Sequence, residues 1–160
     1  MNASPVIFVI FGGTGNHARK NLIPIFYKLY RNGSLPLRFE IVGLGRSEMS
    51  DDEYRSKLFA DLTAFSPSVV QTPECWKDFS SRVSYLKASI ENPQTYFDLR
   101  ERIDAIDIGF GEIADRFYYL SVPVHFAAKA AKHLKCAALA NRAGHDKIIG
   151  EKIMVEDMVG

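Results

Sequence analysis

The chain has 160 residues, 47% hydrophobic and 24% charged, the balance of one globular domain and not of a fibre or a disordered tail. Lys and Arg number 20 against 19 Asp and Glu, a net charge of +1, so no overall field favours nucleic acid or an acidic membrane. The cysteines, Cys75 and Cys136, stand far apart without ligand-like neighbours, which argues against a disulfide scaffold or zinc module and fits a reducing compartment. No apolar run reaches the roughly 18 residues of a membrane span. Met1 to Pro5 carries no basic region of a signal peptide, so a cytoplasmic domain is expected.

Val6 to Phe11 is an unbroken apolar run, rich in β-branched and aromatic residues, that stops at Gly12-Gly13. Such a run between turn signals predicts a strand buried on both faces. Apolar residues then recur at helical spacing through Ala18, Leu22, Ile25, Phe26, Leu29 and Tyr30, with Pro24 marking either a kink or a late start. Asn32-Gly33 stops that helix, and Phe39 to Gly43 is a second strand. Ser50 and Glu53 form a capping box for a helix through about Ala64. Ser66 to Pro73 reads as loop, Cys75 to Phe79 as a short helix, and Val83 to Leu86 as a strand. Asn92-Pro93 opens a helix to about Ile106. Arg116 to Val122 is a buried strand, His125 to Ala140 an Ala-rich helix, and Lys147 to Glu151 a last strand. Strands alternating with helices predict an α/β fold with a doubly wound, mostly parallel sheet.

The first turn reads Gly12-Gly13-Thr14-Gly15-Asn16-His17-Ala18. Glycines let backbone approach a phosphate, and the small Ala18 permits tight helix–strand packing. The first helical N–H groups face outward and carry the positive end of the dipole. A buried strand before this turn and a helix after it predict dinucleotide binding. The tip of the second strand, Gly43-Leu44-Gly45-Arg46-Ser47, holds no acid to accept from a ribose 2′-hydroxyl. Arg46 reads as a 2′-phosphate contact, hence NADP, or else as a solvated loop arginine.

These residues bring a family into view. Phe11-Gly12-Gly13-Thr14-Gly15 with Ala18-Arg19-Lys20 and Leu22-Ile23-Pro24 resembles the N-terminal motif of glucose-6-phosphate dehydrogenases. Ile41-Val42-Gly43 with Arg46-Ser47 resembles the second strand of that family and its NADP-selecting arginine. Arg116 to Pro123 is similar to its fourth-strand motif, and Lys147 to Lys152 to the strand ending in Glu-Lys-Pro.

The resemblance implies a Rossmann-like NADP-binding domain over residues 1–160. Its cofactor contacts would be Gly12, Gly13, Thr14, Gly15, Asn16, His17, Arg46, Ser121, Val122, Pro123 and Lys152, with Lys152 also touching substrate. The family oxidises glucose 6-phosphate at its first carbon. It draws its histidine base, most of the sugar-phosphate site and its dimer surface from a second, β+α domain. That domain is expected to be absent here, so poor turnover is expected from the chain alone. Binding of glucose 6-phosphate is expected only with a second domain supplied, and self-association through the face that would meet it.

The chain departs from the family pattern at Asn16-His17 in place of Asp-Leu, Asn21 in place of a substrate-side lysine, Val124 in place of a second proline, and Ile153 in place of the proline of Glu-Lys-Pro. His17 would put an imidazole beside either the phosphates or the nicotinamide. Arg19 and Lys20 read as solvated, or one of them as a phosphate contact. His125, His133 and His145 read as surface or capping residues, and Tyr118-Tyr119 as core. Three functions remain open: an incomplete enzyme domain, a non-catalytic NADP(H)-binding sensor or partner subunit, and, more weakly, a small reductase of another family, for which no Tyr-x-x-x-Lys pair is in evidence.

Overall fold

A computed structural model describes residues 4–65, 67 and 73–150. In chain order it contains β1 (Val6–Phe11), a wide π turn (Ala18–Leu22) running into α1 (Ile23–Arg31), β2 (Phe39–Gly45), α2 (Asp51–Phe65), α3 (Pro73–Ser80), β3 (Val83–Lys87), α4 (Pro93–Phe110), β4 (Asp115–Leu120), α5 (Val124–Cys136) and β5 (Asp146–Ile149). The strands form one 5-stranded sheet in the order β3-β2-β1-β4-β5. Every neighbouring pair is parallel. This is the doubly wound Rossmann order.

The period-2 alternation of β1 divides the core. Val6, Phe8 and Ile10 face a cluster completed by Phe26 and Tyr27 of α1, Tyr54 and Leu58 of α2, and Trp76 and Phe79 of α3. Ile7, Val9 and Phe11 face Tyr96, Leu99 and Ile103 of α4 and the alanines of α5. All of β1 is buried, as its unbroken apolar run requires.

The capping signals are realised as read. Ser50 Oγ accepts from Glu53 N–H at 3.1 Å, while Ser50 N–H donates to Glu53 Oε1 at 3.2 Å. Asn92 Oδ1 accepts from Gln94 N–H at 3.0 Å. Pro24 lies in the first turn of α1, which starts at Ile23, the late start that the sequence allows. Lacking an N–H, it cannot complete an α-bond, and the turn before it widens, with Ile23 N–H reaching Ala18 C=O.

Several element ends differ from the sequence reading: β2 runs on to Gly45, and β5 spans Asp146–Ile149, stopping before Gly150. β4 stops at Leu120, so Ser121 and Val122 belong to the turn beyond it, although Ser121 N–H still donates to Phe11 C=O at 2.9 Å. α4 continues past Ile106 to Phe110, because Asp107 is stabilised where it lies. One of its oxygens accepts from Ala114 N–H at 2.9 Å and the other pairs with Arg116 Nη2 at 2.6 Å. α5 ends at Cys136, not Ala140. Ala138 adopts φ 57°, and the bonds Leu139 N–H to Leu134 C=O and Ala138 N–H to Lys135 C=O close a Schellman motif. Burial of Leu139 and the bond from Tyr118 OH to its carbonyl at 2.6 Å hold the alanine in this left-handed position. The expected loop at 66–73 falls mostly outside the described residues, as do Glu151, Lys152 and Ile153. Among the described residues, no helix is long and apolar enough to cross a membrane.

Two stability predictions follow from this packing. Ala138→Gly removes a left-handed penalty and should stabilise the chain by about 0.5–1 kcal/mol, read as a rise of about 2 °C in Tm. Half-buried Glu40 on β2 has its carboxyl pushed up from 4.5 to about 7 by desolvation, against the opposing pull of Arg82, Arg55 and Arg102. The folded state therefore holds an extra proton across that window, and its stability should fall as pH rises from about 4.5 to 7. Thermal unfolding of Glu40→Gln at pH 5 and pH 8 should lack the part of the slope due to this group.

Candidate functional site

The order β3-β2-β1-β4-β5 makes the chain leave β1 on one side and return to β4 on the other. A crevice therefore opens at the carboxyl ends of these two strands. Gly12 sits there with φ +80°, and a Cβ on it would lie 2.2 Å from the Ser121 carbonyl oxygen. Only glycine permits this turn and this approach together. Gly13 N–H donates to Leu44 C=O at 2.8 Å, and Gly15 N–H to Gly12 C=O at 3.0 Å. The first helical bond runs from Arg19 N–H to Gly15 C=O, so the amides of Asn16, His17 and Ala18 precede it and find no acceptor within the helix. They form the positive end of the helix at the turn.

Arg19 and Lys20 are both engaged elsewhere. Arg19 Nε donates to Thr14 C=O at 3.0 Å, Nη2 to Asn16 Oδ1 at 3.1 Å, and Nη1 pairs with Asp61 at 2.8 Å. This arginine braces the turn from behind. Lys20 Nζ lies 4.6 Å from the centre of the Phe65 ring.

His17 faces the crevice on the β4 and β5 side. It lines a cavity of about 520 Å³ with Leu22, Tyr119, Ser121, Pro123, Ile149 and others. Ser121 Oγ is buried there with no hydrogen-bond partner. Asn21 Nδ2 lies 3.2 Å from His17 Nδ1. The departures at 17 and 21 are thus in contact with each other, one helical turn apart. Sequence spacing held that signal, since positions four apart share a helix face.

The second half of the site is the loop after β2. Arg46 and Ser47 are exposed at its tip. Among the described residues, the Arg46 guanidinium has no carboxylate partner. The nearby Glu48 is paired with Lys87 at 3.1 Å. Tyr85 OH donates to Ser47 C=O at 2.6 Å, and Tyr54 OH to Gly13 C=O at 2.8 Å. Burial raises both phenols above their ordinary pKa, with the Glu48 charge adding to the rise at Tyr85, so each keeps its donating proton.

Gly12 to His17, Ser121, Val122 and Pro123 therefore gather at the ends of β1 and β4, and Arg46 stands at the end of β2. Lys152 lies outside the described residues. The amides at the start of the helix and the crevice beside them suit a dinucleotide laid across the sheet end.

The fold brings one histidine against a carboxylate distant in sequence among the described residues. His145 Nδ1 lies 2.8 Å from Asp115 Oδ1. These residues stand at the amino ends of β5 and β4, a strand length of about 17 Å from the crevice. The pair is therefore not beside the glycine turn. His133 stacks on Tyr96 with centroids 4.8 Å apart, and His125 packs on Phe126. Cys75 and Cys136 are exposed and are not joined in a disulfide. No group of residues suited to a metal ion occurs among the described residues.

A family model described as glucose-6-phosphate dehydrogenase, NAD binding domain, matches residues 9–159. The chain belongs to the glucose-6-phosphate dehydrogenase family. Glucose-6-phosphate 1-dehydrogenase of Chlamydia pneumoniae is 32% identical over 130 residues, 81% of this chain and 25% of the relative. The enzyme of Leuconostoc mesenteroides is 30% identical over 146 residues, 91% of this chain and 29% of the relative. A solved glucose-6-phosphate 1-dehydrogenase from Mycobacterium avium superposes with a TM-score of 0.78 at 23% identity, covering 98% of this chain and 33% of that one. A glucose-6-phosphate dehydrogenase solved with its substrate gives the same TM-score of 0.78 at 20% identity, covering 99% of this chain and 35% of that one. The chain thus spans 25% to 35% of these family members and corresponds to their N-terminal, dinucleotide-binding domain.

The approach of β1 to β4 can be tested by paired glycine substitutions. Gly33 has φ +73° and open space around it, so Gly33→Ala should cost only the left-handed backbone penalty, about 1 kcal/mol. Gly12→Ala adds a backbone clash and should cost at least twice as much in thermal or urea unfolding.

Proposed function

We propose that this chain binds NADP(H) as the coenzyme domain of a glucose 6-phosphate dehydrogenase, in the cytoplasm. The observation that carries the reading is Arg46, a guanidinium with no carboxylate partner among the described residues, at the end of β2, where an NAD-selecting site would place an acid. The ribose 2′-phosphate would pair with it. The pyrophosphate would lie on Gly12, Gly13, Thr14 and Gly15 and on the amides of Asn16 and His17. The nicotinamide half would enter the crevice, where His17, Ser121, Val122 and Pro123 line the wall.

When bound, the dinucleotide would supply the hydride acceptor. The task of this chain's residues is to hold and orient it and to keep water from its inner face. Ser121 would form part of the crevice wall against it. The proton acceptor and most sugar-phosphate contacts would come from a further domain, in the same chain or supplied in trans. Lys152 would add a contact to cofactor and substrate.

The alternative of a non-catalytic NADP(H)-binding module or partner subunit draws support from position 21. The resemblance puts a substrate-side lysine there, and this chain has an amide engaged with His17. Absorbance at the NADPH band with glucose 6-phosphate separates a self-sufficient enzyme from both of these. Robust turnover of glucose 6-phosphate by the purified chain would favour a self-sufficient enzyme; binding without turnover would favour the domain or module. Copies of the chain would associate through the face that meets the further domain.

Titration should show NADPH preferred over NADH. Arg46→Ala should weaken NADPH about 10–100-fold, the worth of a charge-assisted contact, and leave NADH within about twofold. A preference that survives the substitution would remove Arg46 from the site.

A further inference from the structure

Tyr54 and Tyr85 join the two halves of the candidate site. Tyr54 OH donates to Gly13 C=O in the glycine turn at 2.8 Å, and Tyr85 OH donates to Ser47 C=O in the Arg46 loop at 2.6 Å. The two rings pack on each other with centroids 5.1 Å apart. A continuous strut therefore runs from Gly13 through two phenols to Ser47. The rings occupy space cleared by glycine. A Cβ on Gly43 would lie 2.2 Å from Tyr54 OH, and one on Gly45 would lie 2.8 Å from both Tyr85 OH and Thr14 Oγ1.

The rest of the loop is fixed at its ends. β2 holds Gly45, and Ala88 N–H donates to Gly45 C=O at 2.7 Å. The capping box holds Ser50. Between them, the Tyr85 hydroxyl is the side-chain bond that ties down Ser47, beside Arg46. Tyr85 is itself anchored, its N–H donating to Asp51 Oδ1 at 2.8 Å. The inward turn of the Ser47 carbonyl also takes an acceptor oxygen out of the path of an anion approaching Arg46.

We propose that Tyr85, seated on Tyr54, is a positioning residue for dinucleotide discrimination: its hydroxyl sets the Arg46 loop at a fixed separation from the glycine turn, so that one ligand can place its pyrophosphate and its 2′-phosphate at both at once. This rests on the reading of Arg46 as the 2′-phosphate contact. Precise spacing matters because a misplaced group forfeits the entropy already lost in ordering the ligand.

Tyr85→Phe keeps the ring and its seat on Tyr54 and removes only the hydroxyl. In the full chain it should speed amide hydrogen exchange at Arg46, Ser47 and Glu48 about fivefold. It should weaken NADPH about fivefold, the loss of one hydrogen bond, with NADH within twofold. Tyr54→Phe releases the glycine turn instead and should weaken both cofactors alike. Unchanged exchange in Tyr85→Phe overturns the proposal. So does an equal weakening of both cofactors by Tyr85→Phe, which would make the residue a general support of the fold. A wild-type chain without NADPH preference would sink the Arg46 reading, and the exchange rates would then decide the strut by themselves.

Discussion

The end of β1 runs so close to the end of β4 that no side chain fits between Gly12 and the Ser121 carbonyl. This contact fixes where the chain reverses, where the first helix starts, and how its leading amides are aimed. It also brings Ser121 beside His17, which stands in the turn that Gly12 begins. The crevice of a doubly wound sheet follows from strand order in general. Its particular walls here follow from one residue that has no Cβ.

Other glycines have a different task. Gly43 lies inside a buried strand, where glycine normally weakens pairing. Its missing side chain makes room for the Tyr54 ring, and Gly45 does the same for the Tyr85 hydroxyl. Each aromatic group then returns a hydrogen bond to a loop carbonyl. Strand interior, helix surface and ligand-facing loops are thus held by the same phenols. Arg19 performs a parallel service behind the turn through Thr14, Asn16 and Asp61.

Local signals in the sequence were sufficient for much of this. The unbroken run of β1, the capping box at Ser50 and Glu53, and the Asn92-Pro93 start each rest on chemistry within a few residues. The glycine turn and Arg46 were legible for the same reason. What escaped depends on distant partners. α5 looked helical to Ala140 because alanine propensity says nothing of Leu139, whose burial turns the chain at Ala138. α4 seemed to end before Asp107 because its partner Arg116 lies on the next strand. Tyr54 could be read as a core residue, but its bond to Gly13 spans 41 positions. The contact between His17 and Asn21 is local, four positions apart, and follows from helix spacing alone.

The widened turn at Ala18–Leu22 has an effect on phase. A π turn takes up about one residue more than an α turn, and each residue of helix rotates the following side chains by about 100°. The amides and imidazole before this point are aimed at the crevice, while Phe26 and Tyr27 behind it are aimed at the core. The extra residue lets these two orientations be set separately. Deleting one residue here would return the turn to α geometry and keep the apolar stripe of α1 on the sheet, whereas deleting two would swing the stripe off by about 100° even though the glycine fingerprint remained intact.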